Sequence, residues 1–97
     1  MSLHIPVDQE RIAAFCRGHH ILRLAFFGSV LRDDFRADSD VDVLVEFEPG
    51  LPYGYFHIFS LQDRLAELLG NRVDLVTLNG LRSEVRDEVV REAVRAA

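Results

Sequence analysis

From Leu24 to Phe47 the chain reads LAFFGSVLRDDFRADSDVDVLVEF, two apolar runs flanking a polar, acidic segment. Both runs are short and bounded by turn-forming residues, so both read as strands. The first ends in Gly28-Ser29, and the second opens with Asp40-Val41-Asp42. Side chains alternate along a strand, so Asp40 and Asp42 point to one face. Asp33, Asp34 and Asp38 lie just upstream. Two hard oxygen donors at the head of a strand, beside a Gly-Ser turn, match what a magnesium-nucleotide site requires.

The rest of the chain supplies elements around this pair. Asp8 is an N-cap for a helix through QERIAAFCRGH, with Ile12, Phe15 and Cys16 on one face and Gly18 as its stop. His19-His20 read as a linker, because adjacent histidines on a strand point apart and rarely share a metal. Leu22–Phe27 is the first strand, nearly all apolar toward its end, as a strand covered on both faces would be. Val30–Phe35 is a short helix or turn, Asp38-Ser39 a tight connection, and Val41–Phe47 the second strand.

Pro49-Gly50-Leu51-Pro52 break the pattern. Tyr55–Leu69 then repeats Phe56, Phe59, Leu65, Leu68 and Leu69 at helical spacing, with Gly70-Asn71 as a stop. Arg72–Thr77 is a third strand. Residues 81–96 form a last amphipathic helix with Leu81, Val85, Val89, Ala93 and Ala96 as its stripe. The expected order is α-β-(short α)-β-α-β-α, an α/β (α+β) layering of helices on a small mixed sheet. At 97 residues without an internal linker, one domain spanning 1–97 is expected.

Composition narrows the partners. Apolar residues make up 48%, enough for a core, and a chain this short leaves surface for a partner or for self-association. The formal charge is -5, from 16 acidic and 11 basic residues, which argues against a stable DNA or RNA binder and fits a metal site or a basic partner. Every basic residue is Arg, so a P-loop lysine or a lysine nucleophile is excluded. Cys16 is the single cysteine, which excludes an intrachain disulfide and a Cys-based zinc site and suits a buried small hydrophobe. No apolar stretch approaches a membrane span and no signal-peptide pattern opens the chain, so a cytoplasmic location without membrane contact is expected.

D-x-D alone serves several chemistries, and the flanks discriminate. An EF-hand loop starting at Asp38 needs Gly at its sixth position and Glu at its twelfth, where this chain has Val43 and Pro49. Haloacid-dehalogenase phosphatases and D-x-D glycosyltransferases place their aspartates at the end of an apolar strand, whereas here the strand follows the pair. Gly-Ser alone would also serve as an ordinary turn with a capping serine. What remains is strand, Gly-Ser, short helix, Ser-Asp-x-Asp, strand.

Gly28-Ser29-x-x-Arg32, six intervening residues, then Ser39-Asp40-Val41-Asp42 resembles the signature of the DNA polymerase beta nucleotidyltransferase superfamily. The match is to its minimal nucleotidyltransferase branch, the MNT antitoxins that partner HEPN-domain toxins. It extends over essentially the whole chain, including Arg72-Val73-Asp74-Leu75-Val76-Thr77. Gly28 lets the backbone approach a phosphate, and Ser29 opens a helix whose N–H groups and hydroxyl can hold phosphate oxygens. Asp40 and Asp42 are expected to hold magnesium jointly.

Asp74, set between apolar residues, would be costly to bury unpaired, and a metal shared with Asp42 removes that cost. Its structural alternative is an ion pair with Arg72 or another Arg. The resemblance implies that Asp74 completes a two-metal site. Arg32 would share a helical face with Ser29 and reach the phosphates, and Ser39 belongs to the nucleotide motif. Asp33 stands where the family commonly has Gly, adding negative charge near a triphosphate. Tyr53, Tyr55 and Phe56 follow the second strand within reach of a base, with core packing the expected use of Phe56.

The implied activity is transfer of AMP from ATP, with two magnesium ions, to a tyrosine of a cognate HEPN toxin. Two alternatives stay open. One is a catalytically silent antitoxin that works by contact. The other is a nucleotidyltransferase acting on RNA or a small molecule, whose relatives usually carry an added substrate domain.

Overall fold

The computed structural model describes residues 5–36, 38–49 and 55–96, without the side chains of residues 55–57 and 79. Asp8 starts the first helix, α1 (Gln9–Gly18). Its carboxylate accepts from the amides of Glu10 (3.1 Å) and Arg11 (3.2 Å), two donors that have no partner within the helix. Asp8→Ala is expected to cost about 1 kcal/mol, read as a melting point lower by roughly 4–8 °C. Ile12 and Cys16, one turn apart, are buried, and burial pushes the Cys16 thiol pKa up. The helix ends at Gly18, where the sequence placed its stop, but without a left-handed glycine. The left-handed position falls on His20, with φ 58°.

Four strands follow: β1 (Ile21–Phe27), β2 (Val41–Phe47), β3 (Val73–Thr77) and β4 (Val94–Arg95). They form one mixed sheet in the order β3-β2-β1-β4. β1 runs antiparallel to β2 and β4, and β2 runs parallel to β3. The antiparallel pair is joined through the 3-10 turn Gly28–Leu31 and the loop that follows it, and the parallel pair through helix α2 (Tyr55–Leu69), as a parallel crossover requires. Gly70 ends α2 with φ +71°, as expected of a glycine stop.

The core lies on one face of the sheet. Leu24 and Phe26 of β1, Val41, Val43 and Val45 of β2, and Val73 and Leu75 of β3 meet Ile12 and Cys16 of α1 and Leu61, Leu65 and Leu69 of α2. The alternate residues of β2, Asp42, Leu44 and Glu46, therefore face the other side. There Arg23, Leu44, Glu46, Leu78, Val90 and Ala93 help line a groove of about 190 Å³.

Several expectations are corrected. β1 is covered mainly on one face, and Leu22 is 46% exposed. The last helix, α3 (Ser83–Glu92), is shorter than the 81–96 pattern, because the chain turns extended at Ala93 and adds β4 to the sheet edge. Only Val89 of its stripe is buried, and Val85 is 45% exposed. Phe59, placed on the apolar side of α2, is 60% exposed. The sheet edge at β3 is partly covered, since the Leu75 amide donates to Gln62 Oε1 of α2 at 3.0 Å. Among the described residues no helix is long and apolar enough to cross a membrane. Residues 50–54, with the Gly50-Leu51-Pro52 break and Tyr53, lie outside the described residues, as do the side chains of Tyr55 and Phe56.

Candidate active site

Asp42 and Asp74 stand side by side. They are register partners on the parallel strands β2 and β3, and neighbouring strands run about 4.8 Å apart. Residues paired this way project to the same face of a sheet. Asp74 is exposed on that face, not buried. β3 packs Val73 and Leu75 against the core, and Asp74 is the alternate residue between them. It therefore needs no partner to be tolerated, and the burial expected from its apolar neighbours does not occur.

The electrostatics of Asp42 reflect this neighbourhood. Burial pushes its carboxyl pKa up, the adjacent Asp74 charge pushes it further, and Asp40 and Glu92 add to the rise. The backbone N–H of Ser29 donates to Asp42 and offsets part of the effect. A half-buried carboxylate among like charges favours whatever brings positive charge, a proton or a cation.

The Gly28-Ser29 turn sits against Asp42. Gly28 has φ +74°, a left-handed conformation that residues with a β-carbon rarely adopt. A Cβ there would collide with the Asp42 carboxylate oxygen, with Cγ of Asp42 at 3.2 Å. The expected helix after Ser29 is only the four-residue 3-10 turn Gly28–Leu31. Its leading amides are not open to an anion as they stand. Gly28 N–H donates to Glu92 Oε1 at 3.0 Å, and Ser29 N–H donates to Asp42. The Ser29 hydroxyl donates to the carbonyl of Asp40 at 3.2 Å.

Arg32 follows the turn in an extended conformation, exposed, so the shared helical face with Ser29 is not formed. Ser39 shapes the loop instead of pointing at the acids, its Oγ accepting from the Arg36 amide at 3.2 Å. Arg72, weighed as a partner for Asp74, pairs with Asp40: Nε lies 3.1 Å from Oδ1. The same guanidinium donates to the carbonyl of Asp38 at 2.6 Å. Both side chains of the Arg72–Asp40 pair are more than half exposed, at 74% and 56%, so the pair contributes little and is readily exchanged.

Among the described residues no three His, Cys, Asp or Glu side chains are grouped so as to hold a metal ion. The donor chemistry still fits a hard divalent cation. Asp42 and Asp74 offer carboxylate oxygens from adjacent strands, and Asp40, two residues before Asp42, is paired with the exposed Arg72. Sequence reading missed Glu92. At the end of an amphipathic helix it looks like a solvated charge, and only the fold brings it to Gly28.

Residues 10–95 match the family model described as polymerase beta, nucleotidyltransferase. A Methanocaldococcus jannaschii protein named as a candidate protein adenylyltransferase is 36% identical over 92 residues, covering 95% of this chain and 97% of its own. Protein adenylyltransferase MntA of Thermococcus cleftensis is 41% identical over 76 residues, 76% of this chain and 73% of its own. Among solved structures, a candidate minimal nucleotidyltransferase superposes with a TM-score of 0.74 at 41% identity, over 89% of this chain and 86% of that one.

A toxin–antitoxin crystallised with AMP-PNP gives a TM-score of 0.77 over 94% of this chain and 73% of that one. A tri-AMPylated Shewanella oneidensis HEPN toxin in complex with its MNT antitoxin gives 0.68 over 92% and 68%. Both are 22% identical and bear on the fold alone. The chain thus belongs to the polymerase beta nucleotidyltransferase family.

Proposed function

We propose that this protein is an antitoxin that transfers AMP from ATP to a tyrosine hydroxyl of a cognate HEPN-domain toxin. The observation that carries the reading is the placement of Asp42 and Asp74 abreast on the groove face, with the Gly28-Ser29 turn packed against Asp42. The AMP donor and the protein acceptor follow the adenylyltransferase relatives, and the HEPN partner follows the toxin–antitoxin complexes of the same fold.

In this reading Asp40, Asp42 and Asp74 would hold two magnesium ions, whose charge would offset that of the triphosphate and lower the pKa of the acceptor hydroxyl. The residues of the chain do the rest. Asp42 and Asp74 set the negative well that draws the cation–nucleotide pair to the open face. The Ser29 hydroxyl leaves the Asp40 carbonyl to hold a phosphate oxygen. Arg32 and Arg36, on the loop between β1 and β2, stand in for the lysine the chain lacks. The tyrosine oxygen forms a bond to the α-phosphorus and the bond from that phosphorus to the β-bridging oxygen breaks. Pyrophosphate leaves, and the phenolic proton passes to a carboxylate or to water.

The test incubates the protein with magnesium, α-labelled ATP and the HEPN-type protein that accompanies it. Label is expected on a tyrosine of the partner, with release of pyrophosphate. Neutralisation of the partner without label transfer would replace this reading with an antitoxin that acts by contact.

A further inference from the structure

We propose that Glu92 is a positioning residue that fastens the nucleotide-binding turn to the last helix and so keeps Asp42 in place. The inference rests on the transferase reading for its kinetic consequence, but not for its geometry. Glu92 is the last residue of α3, directly before the chain enters β4. Its Oε1 accepts the Gly28 amide at 3.0 Å, a half-buried bond between residues 64 apart in the chain.

Three links then run in series. Glu92 holds the Gly28 amide. Gly28, with φ +74°, sets the direction in which Ser29 leaves the strand. The Ser29 amide holds the Asp42 carboxylate, and the Ser29 hydroxyl holds the Asp40 backbone. Each leading amide of a 3-10 turn lacks a partner within it, so some acceptor must come from outside. Here α3 supplies the one for Gly28. A carboxylate is a strong acceptor for an N–H, and burial strengthens the bond.

The placement also explains why the chain ends its last helix at residue 92 and spends its following residues on β4. Val94 pairs with Phe26 and Arg95 with Ala25, and the Ala96 amide donates to the Leu24 carbonyl at 2.9 Å. These bonds peg the C-terminal end of α3 to β1, the strand that runs into Gly28. Glu92 is therefore held at both its own end and its target's. The Glu92 charge only adds to the repulsion at Asp42, whereas its oxygen is what holds the Gly28 amide, so a neutral acceptor of the same length should serve as well.

The test compares Glu92→Gln, which keeps an acceptor oxygen, with Glu92→Met, which keeps the stem and removes it. Hydrogen exchange at the Gly28 amide, read by NMR without nucleotide, is expected to stay near wild type in Glu92→Gln. In Glu92→Met it is expected to rise at least about tenfold. In the transfer assay Glu92→Met is expected to lose roughly 10- to 100-fold in kcat with KM for ATP changed less than about threefold, because misalignment of the acids costs rate more than binding. Glu92→Gln is expected to restore most of that loss.

Unchanged Gly28 exchange in Glu92→Met would overturn the proposal. So would Glu92→Gln losing as much activity as Glu92→Met, which would point to a need for the charge itself. Because the exchange experiment contains no ATP, a wild-type protein that fails to transfer label leaves the anchoring measurable, and the two ideas fail separately.

Discussion

Asp42→Asn is expected to lower label transfer about a thousandfold, roughly 4 kcal/mol of transition-state stabilisation, while making the ligand-free protein harder to melt. The two effects have one cause. Asp42 is half-buried next to Asp74, with Asp40 and Glu92 adding charge of the same sign, so its pKa is raised above the ordinary 3.8. A group whose carboxyl is harder to ionise in the folded chain than in the unfolded one opposes folding wherever it is ionised. Asparagine removes that charge and still offers an oxygen to the Ser29 amide. The gain is about 0.5 kcal/mol after allowance for solvent screening, or roughly 2–4 °C in melting temperature.

The sign of the pH dependence follows. The penalty is fully present above the raised folded pKa of Asp42. It disappears as pH falls through that value toward the ordinary one, because the folded chain then takes up the proton first. The melting points of wild type and Asp42→Asn should therefore differ at neutral pH and converge in acid. A variant that melts below wild type at neutral pH would mean that Asp42 is a structural acceptor first. Retained transfer in Asp42→Asn would remove this aspartate from the chemistry.

Gly28→Ala is expected to be the most damaging single substitution in the turn. An L-residue at φ +74° costs about 1–2 kcal/mol, and the added methyl would strike the Asp42 carboxylate, a collision worth a further 1–3 kcal/mol. Relief comes only by rotating Asp42 away from the Ser29 amide or by reopening the turn. Either one dismantles the site. Thermal unfolding should shift down by roughly 12–24 °C for a loss of about 3 kcal/mol, and transfer should fall below about one hundredth of wild type even where the variant is folded. A melting point within a few degrees of wild type would show that the turn adapts without strain.

Both residues are legible in the primary structure, and others are not. The G-S turn, the D-x-D strand, α1 with its Asp8 cap and α2 with its Gly70 stop all carry local signals, either a special backbone position or a strict period. β4 is two residues long and has no alternation to detect, so the pattern that continued through residue 96 absorbed it into a helix. Asp74 sits between Val73 and Leu75, which suggested burial. A strand packed on one face only hides the residues on either side of a polar position while leaving that position in solvent.

Reading Val30–Phe35 as a short helix puts Arg32, three residues after Ser29, on the same face. The turn instead ends at Leu31 and Arg32 continues in extended conformation, so its side chain leaves the face that Ser29 occupies. Glu92 depended wholly on topology. Its role exists only because a late strand returns alongside β1, and no local pattern encodes a meeting across 64 residues.

The bond from the Leu75 amide to Gln62 has a consequence beyond the site. β3 forms one border of the sheet, and a bare border of backbone donors invites a second chain to add itself as a further strand. Gln62 plugs a donor at the middle of that border with a side-chain acceptor that cannot propagate. The opposite border is β4, too short to template much of anything. A sheet bordered in this way offers little exposed backbone for another copy of the chain to pair with.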